Sequence, residues 1–312
     1  MKHFLLIAIW AFAAATEEPR AITLARRAYA QARAGQYEEA AAGLREAARL
    51  APTNPLYRSA LGGVFERQGK FSEAVAAFAE ALRLDPANAG IRSHVESLSL
   101  DWGATLARER RYRAGLVLAR QTAARSPQLA PAHLMLGLFL ARNRQNLAAV
   151  DAYRRALALD PHSTEASVGL GIAQFSAGLT REAQATFEAG IEAFPRDAIH
   201  RQAYGVLLVK MAESGDAPPA GAAEMLASAL EIDETLAEAH YQLGSLALAH
   251  GDASAAVTHF ETAMKNGLDD ARLHYAASRA LRRLGRDADA ESRLEVFRSR
   301  KATEQAASEP LP

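Results

Sequence analysis

The chain has 312 residues, 49% of them hydrophobic and 23% charged, which is enough apolar material for a substantial core and too much for a disordered chain. Its 36 Lys and Arg balance 36 Asp and Glu, which excludes a surface that is basic throughout, as a general nucleic-acid binder requires. With no cysteine, disulfides, thiolate metal sites, a cysteine nucleophile and lipidation on cysteine are all excluded.

Met1-Lys2-His3 is a short basic opening, Phe4 to Phe12 is an unbroken apolar run, and Ala13-Ala14-Ala15 supplies small residues before the polar Thr16-Glu17-Glu18-Pro19. This order is expected of a signal peptide over 1–15, cut near Ala15, followed by a leader over 16–20. The apolar run is shorter than the roughly 20 residues that span a bilayer. The mature chain is therefore expected to be exported, periplasmic or secreted, without stable membrane insertion.

From Ala21 onward one pattern recurs. Pro52 to Pro86, Pro127 to Pro161 and Pro161 to Pro195 are each 34 residues apart. Upstream of Pro86 stand Leu61-Gly62, Phe65, Gly69, Ala74, Phe78 and Ala81. The same order returns as Leu136-Gly137, Leu140, Ala149, Tyr153, Ala156 and Pro161, then as Leu170-Gly171, Gly178, Ala183, Phe187, Gly190 and Pro195, and again as Leu243-Gly244, Gly251, Ala256, Phe260 and Ala263. Each unit holds two apolar stripes of helical period, which predicts paired amphipathic helices. Gly69, Gly178, Gly251 and Gly285 fall between the stripes, where a left-handed cap is expected, and Asp85-Pro86 ends a second helix. Pro86 to Pro127 is 41 residues, and Ile91, Val95, Leu98 and Trp102 keep the helical period through the excess, so the first helix of the third unit is expected to start about two turns early. In the sixth unit Gly215-Asp216-Ala217-Pro218-Pro219 predicts a longer turn.

On these residues the sequence resembles the tetratricopeptide repeat family, whose unit of about 34 residues is a helix-turn-helix. The resemblance implies an all-α, right-handed α-solenoid of about eight stacked units over 21–302, divided as 21–54, 55–88, 96–129, 130–163, 164–197, 198–236, 237–270 and 271–302, with a disordered tail over 303–312. It also implies a concave groove lined by the first helix of each unit. Carried onto this chain, the groove positions are Leu134, Leu138 and Ala141; Val168, Ile172 and Phe175; Gln202, Val206 and Val209; Tyr241, Ser245 and Leu248; and Tyr275, Arg279 and Arg282. Where relatives that grip a chaperone's carboxyl terminus carry Lys, Asn and Arg, this chain has Ser59, Gly63, Glu66, Leu134 and Leu138, so that activity is not expected. The apolar middle of the groove suits a peptide or helix of a protein partner. A tighter stack that buries the same residues, and a carrier of a small apolar ligand, stay open.

No catalytic constellation is found. Nine histidines raise a metal site, and His240 and His274, 34 residues apart, fall at equivalent places on neighbouring helices where they can face each other. His133 shares that place, which is expected to be a packing position, and no His-x3-His or His-Glu-x-x-His helix occurs. No cofactor, metal or nucleic acid is expected, and the chain is read as a non-enzyme. The neutral charge is a cancellation. From Leu106 to Arg155 ten Arg face Glu109 and Asp151, a net +8; from Met211 to Asp270 eleven carboxylates face Lys265, a net −10; from Ala271 to Lys301 the net is +5. Such blocks suit salt-dependent self-association or an anionic polysaccharide.

Overall fold

In a computed structural model of the protein, residues 2–214 and 221–308 are described, with side chains over 18–212 and 221–305. Every regular element among them is a helix. The chain divides into two compact units, residues 1–143 and 144–312.

The first unit holds α1 (Lys2–Arg33), α2 (Tyr37–Leu50), α3 (Pro55–Arg67), α4 (Phe71–Leu84), α5 (Ala89–Arg108), α6 (Tyr112–Arg125) and α7 (Ala130–Arg142). The second holds α8 (Asn146–Leu159), α9 (Thr164–Ser176), α10 (Thr180–Ala193), α11 (Ala198–Ser214), α12 (Ala222–Ile232), α13 (Ala237–Ala249), α14 (Ala253–Lys265), α15 (Ala271–Arg283) and α16 (Asp287–Ser308). Within each unit every helix packs on the next, and α5 also touches α7, as α9, α11, α13 and α15 touch in succession. This nearest-neighbour packing is that of an all-α solenoid.

Turn chemistry sets where the helices stop. At Gly69, with φ at +71°, the amide of Lys70 donates to Phe65 O at 2.9 Å and that of Gly69 to Glu66 O at 2.9 Å, which satisfies two carbonyls the helix end leaves free. The same pair of bonds closes α9 at Gly178, α13 at Gly251 and α15 at Gly285, all with positive φ. The starts are capped as well. Asn88 accepts from Ile91 N at 3.1 Å, Ser163 from Ala166 N at 3.2 Å and Asp252 from Ala255 N at 2.9 Å.

The recurring Leu-Gly is where the two helices of a pair approach. A Cβ placed on Gly171 would stand 2.6 Å from the Phe187 ring, and one on Gly62 would stand 2.8 Å from Phe78, so glycine on one helix makes the seat for an aromatic on the other. Phe187 and Phe260 are fully buried as a result.

The long first helix of the third unit is present: α5 has 20 residues where α3 and α7 have 13, and Val95 and Leu98 are buried on it. The expected long turn over 215–219 lies outside the described residues. The expected boundary at 302 needs correction. Helix α16 runs on to Ser308, and Glu304 Oε1 accepts from Ala271 N at 3.0 Å, satisfying a first-turn amide of α15. Helix α1 is continuous across the expected cleavage position at Ala15.

Candidate functional site

Because α9, α11, α13 and α15 touch in succession, positions that recur on them form one continuous face in residues 144–312. Ile172 is 51% exposed there, flanked on its own helix by half-buried Val168 and Phe175. Val206 and Gln202 on α11 are half-buried, as are Tyr241 and Ser245 on α13, while Tyr275, Arg279 and Arg282 on α15 are exposed. Val168, Phe175 and Val206 rest on a core that includes Phe187, Tyr204 and Leu226, so they are anchored below and open above. In the other unit Leu134, Leu138 and Ala141 on α7 are half-buried.

Two of the expected lining residues are buried. Val209, 8% exposed, belongs to the core with Leu207, Leu208 and Met211, and Leu248, 4% exposed, packs with Leu273, Ala277 and Leu281. Both occupy the third groove position, four residues past the Gly, where the next first helix closes over the side chain. At the end of the row, Arg282 stands at the same position and is exposed.

Tyr241 is held on two sides. Its ring lies 6.0 Å from that of Phe260, and the Arg272 guanidinium sits over it at 4.5 Å. Arg272 is bonded to Glu238 at 2.5 Å and to Asp270 at 2.7 Å. Burial draws the Arg272 pKa down, but the hydrogen bonds and charges of these two carboxylates outweigh it and hold the group above its ordinary value. Desolvation raises the Tyr241 pKa above its ordinary value. Nearby, Tyr204 is pushed up to about 12, first by burial and then by its hydroxyl donating to Glu188 at 2.8 Å.

The histidines that the repeat register aligns take local partners. His240 does not face His274. It lies against His259, Nδ1 to Nδ1 at 3.1 Å, with its Nε2 at 3.1 Å from Glu234 O, while His274 Nε2 is 2.7 Å from Asp269. Burial, and then the neighbouring His240, lowers the His259 pKa. His133 Nε2 meets Pro127 O at 3.1 Å. Among the described residues no group of three or more His, Asp or Glu is arranged to hold a metal ion.

Two shallow clefts escape the repeat pattern. One, of about 670 Å³, is lined by Phe194, Pro195, Ile199 and Ile232; the other, of about 620 Å³, is lined by Ala223, Glu224, Ala227, Leu230 and Glu231 of α12, Leu243 of α13 and His259 of α14. The visible signal for the second was Glu224, Ala227 and Glu231 at helical spacing on one stripe of α12.

Among the described residues no helix is long and apolar enough to cross a membrane. No curated protein sequence matches the chain significantly. Among solved structures, a tetratricopeptide repeat protein from Parabacteroides merdae is similar at 22% identity over 84% of this chain and 98% of its own, with a TM-score of 0.51. PilF of Pseudomonas aeruginosa is similar at 18% identity over 66% of this chain and 92% of its own, with a TM-score of 0.54. PilW, a type IV pilus biogenesis factor, is similar at 18% identity over 64% and 90%, with a TM-score of 0.51. Such identities speak to the fold alone. Tetratricopeptide repeat profiles match residues 25–89, 140–206 and 241–299, more than half of the 312 residues, and with the paired helices, the left-handed caps and the glycine–aromatic seats they show that this chain belongs to the tetratricopeptide repeat family.

Proposed function

We propose that the chain is a non-catalytic scaffold that docks an apolar peptide or helix of a partner protein on the face made by α9, α11, α13 and α15. The observation that carries this reading is Ile172, half in solvent on a helix whose neighbouring groove residues are anchored in the core. A large aliphatic side chain left open above a rigid floor is the form of a binding anchor. Val206 and Tyr241 extend the apolar strip, and Tyr275, Arg279 and Arg282 supply a polar, cationic end. Helix-in-groove recognition uses such a strip for affinity and the charged end for orientation.

Replacing Ile172 or Phe175 with Glu places a charge in the strip. Crosslinked pull-down from the native cells should lose its partner with Ile172→Glu and keep it with a Glu at exposed Leu147 on α8. Recovery of the same partner by Ile172→Glu would sink the proposal.

The opening residues motivate a second part of the reading: the scaffold works outside the cytoplasm, delivered by residues 1–15 as a signal peptide. Mass spectrometry of the chain from fractionated cells should find a start near residue 16 in the exported fraction. A full-length chain confined to the cytoplasm would contradict it.

A further inference from the structure

We infer that two copies of this chain associate head to tail, with an arginine edge on residues 1–143 of one copy seated on the carboxylate-lined cleft of α12, α13 and α14 of the next.

The arginine edge is built by the turn between α5 and α6. Arg108, Arg110 and Arg111 are exposed within four residues, and the end of α7 is fastened beside them. Asn143 Nδ2 donates to Tyr112 O at 3.0 Å, and the Arg142 guanidinium lies 5.8 Å from the Tyr112 ring. Arg142 is thus brought beside the turn that carries Arg108, Arg110 and Arg111, where Glu109 bonds Arg111 at 3.2 Å.

Arg110 has φ at +57°, in the left-handed region that disfavours a residue with a side chain. Its turn closes with the same two bonds that the glycine turns use, Arg111 N to Leu106 O at 2.9 Å and Arg110 N to Ala107 O at 3.1 Å. Gly35, Gly69, Gly178, Gly251 and Gly285 take this place in other turns, and Arg144, with φ at +60° after α7, is the second arginine in left-handed backbone. An arginine in a backbone that glycine fits better places a charge at this turn at some cost in strain.

The cleft is the complement. Glu224 and Glu231 stand two turns apart on α12, both exposed and with no ion pair among the described residues, beside apolar Ala227, Leu230 and Leu243. A carboxylate pair over an aliphatic floor matches arginine, whose head takes a forked hydrogen bond while its stem covers apolar surface. The acidic block from Met211 to Asp270 and the basic block from Leu106 to Arg155 set the long-range attraction. Since edge and cleft are different surfaces, the contact is heterologous and continues from copy to copy or closes into a ring.

Sedimentation velocity of the full chain tests this at about 0.05 M and about 1 M salt, where the screening length falls from over 10 Å to about 3 Å. The expected result is a mass of two or more chains at low salt and one chain at high salt. Arg110→Glu/Arg111→Glu and Glu224→Arg/Glu231→Arg, each checked for native helicity by circular dichroism, should be monomeric alone. Mixed in equal amounts they should associate again, because each then offers the charge the other lacks. A monomeric wild type at low salt, folded variants that still associate, or a mixture that stays monomeric would overturn the inference. Equally, a monomeric wild type that binds a sulfated polysaccharide through Arg110 and Arg111 would assign the edge to a polyanion instead.

Discussion

Position 110 carries a left-handed backbone that glycine adopts without cost, so Arg110→Gly should raise stability by roughly 0.5–1 kcal/mol even as it removes a charge. At Gly178, whose φ is +81°, Gly178→Ala should lower stability by about 1 kcal/mol, and the urea midpoints of the two variants should move in opposite directions. Gly171→Ala pushes a methyl to within 2.6 Å of the Phe187 ring and is expected to cost roughly 1–3 kcal/mol through overpacking. His259 sets a pH dependence whose sign follows from its lowered pKa. As pH falls, the unfolded chain takes up the proton first, near 6.5, and the folded chain only at lower pH, because burial and His240 oppose the charge. The resulting loss of stability begins near pH 6.5 and is complete below the folded pKa; His259→Gln should flatten that part of the stability profile. An unchanged slope in the variant would remove His259 from the account.

At the scale of the helix, caps and end contacts govern. Asp270 accepts from Leu273 N at 3.0 Å and pairs with Arg272, so Asp270→Ala should cost about 1 kcal/mol by loosening the start of α15. Ending the chain at Ala302 removes Glu304 from Ala271 N and is expected to lower the urea midpoint, which a truly idle tail would not do. These ends separate what was legible in the sequence from what was not. The glycines between stripes announced the left-handed caps, and the seven extra residues before Pro127 announced a longer α5, because both depend on local geometry. Val209 and Leu248 are groove positions by resemblance to the family, which assigns the third lining place four residues past the Gly. Their burial depends on how closely the next first helix approaches, which a 34-residue spacing does not set. Likewise His240 finds its partner, His259, on the following helix, a packing contact between two residues with no shared motif. The extension of α16 past Ala302 was hidden because that segment is polar, and a polar stretch carries no periodic apolar signal.

Across the molecule, a solenoid stabilised by neighbour contacts should lose order locally when one layer is damaged. Phe260 is fully buried against Gly244 and packs with residues of α13, α14 and α15. Phe260→Ala should therefore raise amide exchange over α13 to α16 and leave α3 and α4 protected; uniform loss of protection would mean a single cooperative unit. The family and the helix pairing were readable from the repeats, while the choice of binding surface required knowing which apolar side chains stay open. Ile172 is the clearest of these, and the scaffold proposal turns on it. The direct measurement is site-specific photo-crosslinking in the native cells, with the reactive group at position 172 and, as control, at position 147, which is 64% exposed on α8. A discrete protein adduct at 172 and none at 147 is predicted; no adduct at 172, or the same adducts at both positions, would contradict docking on this face.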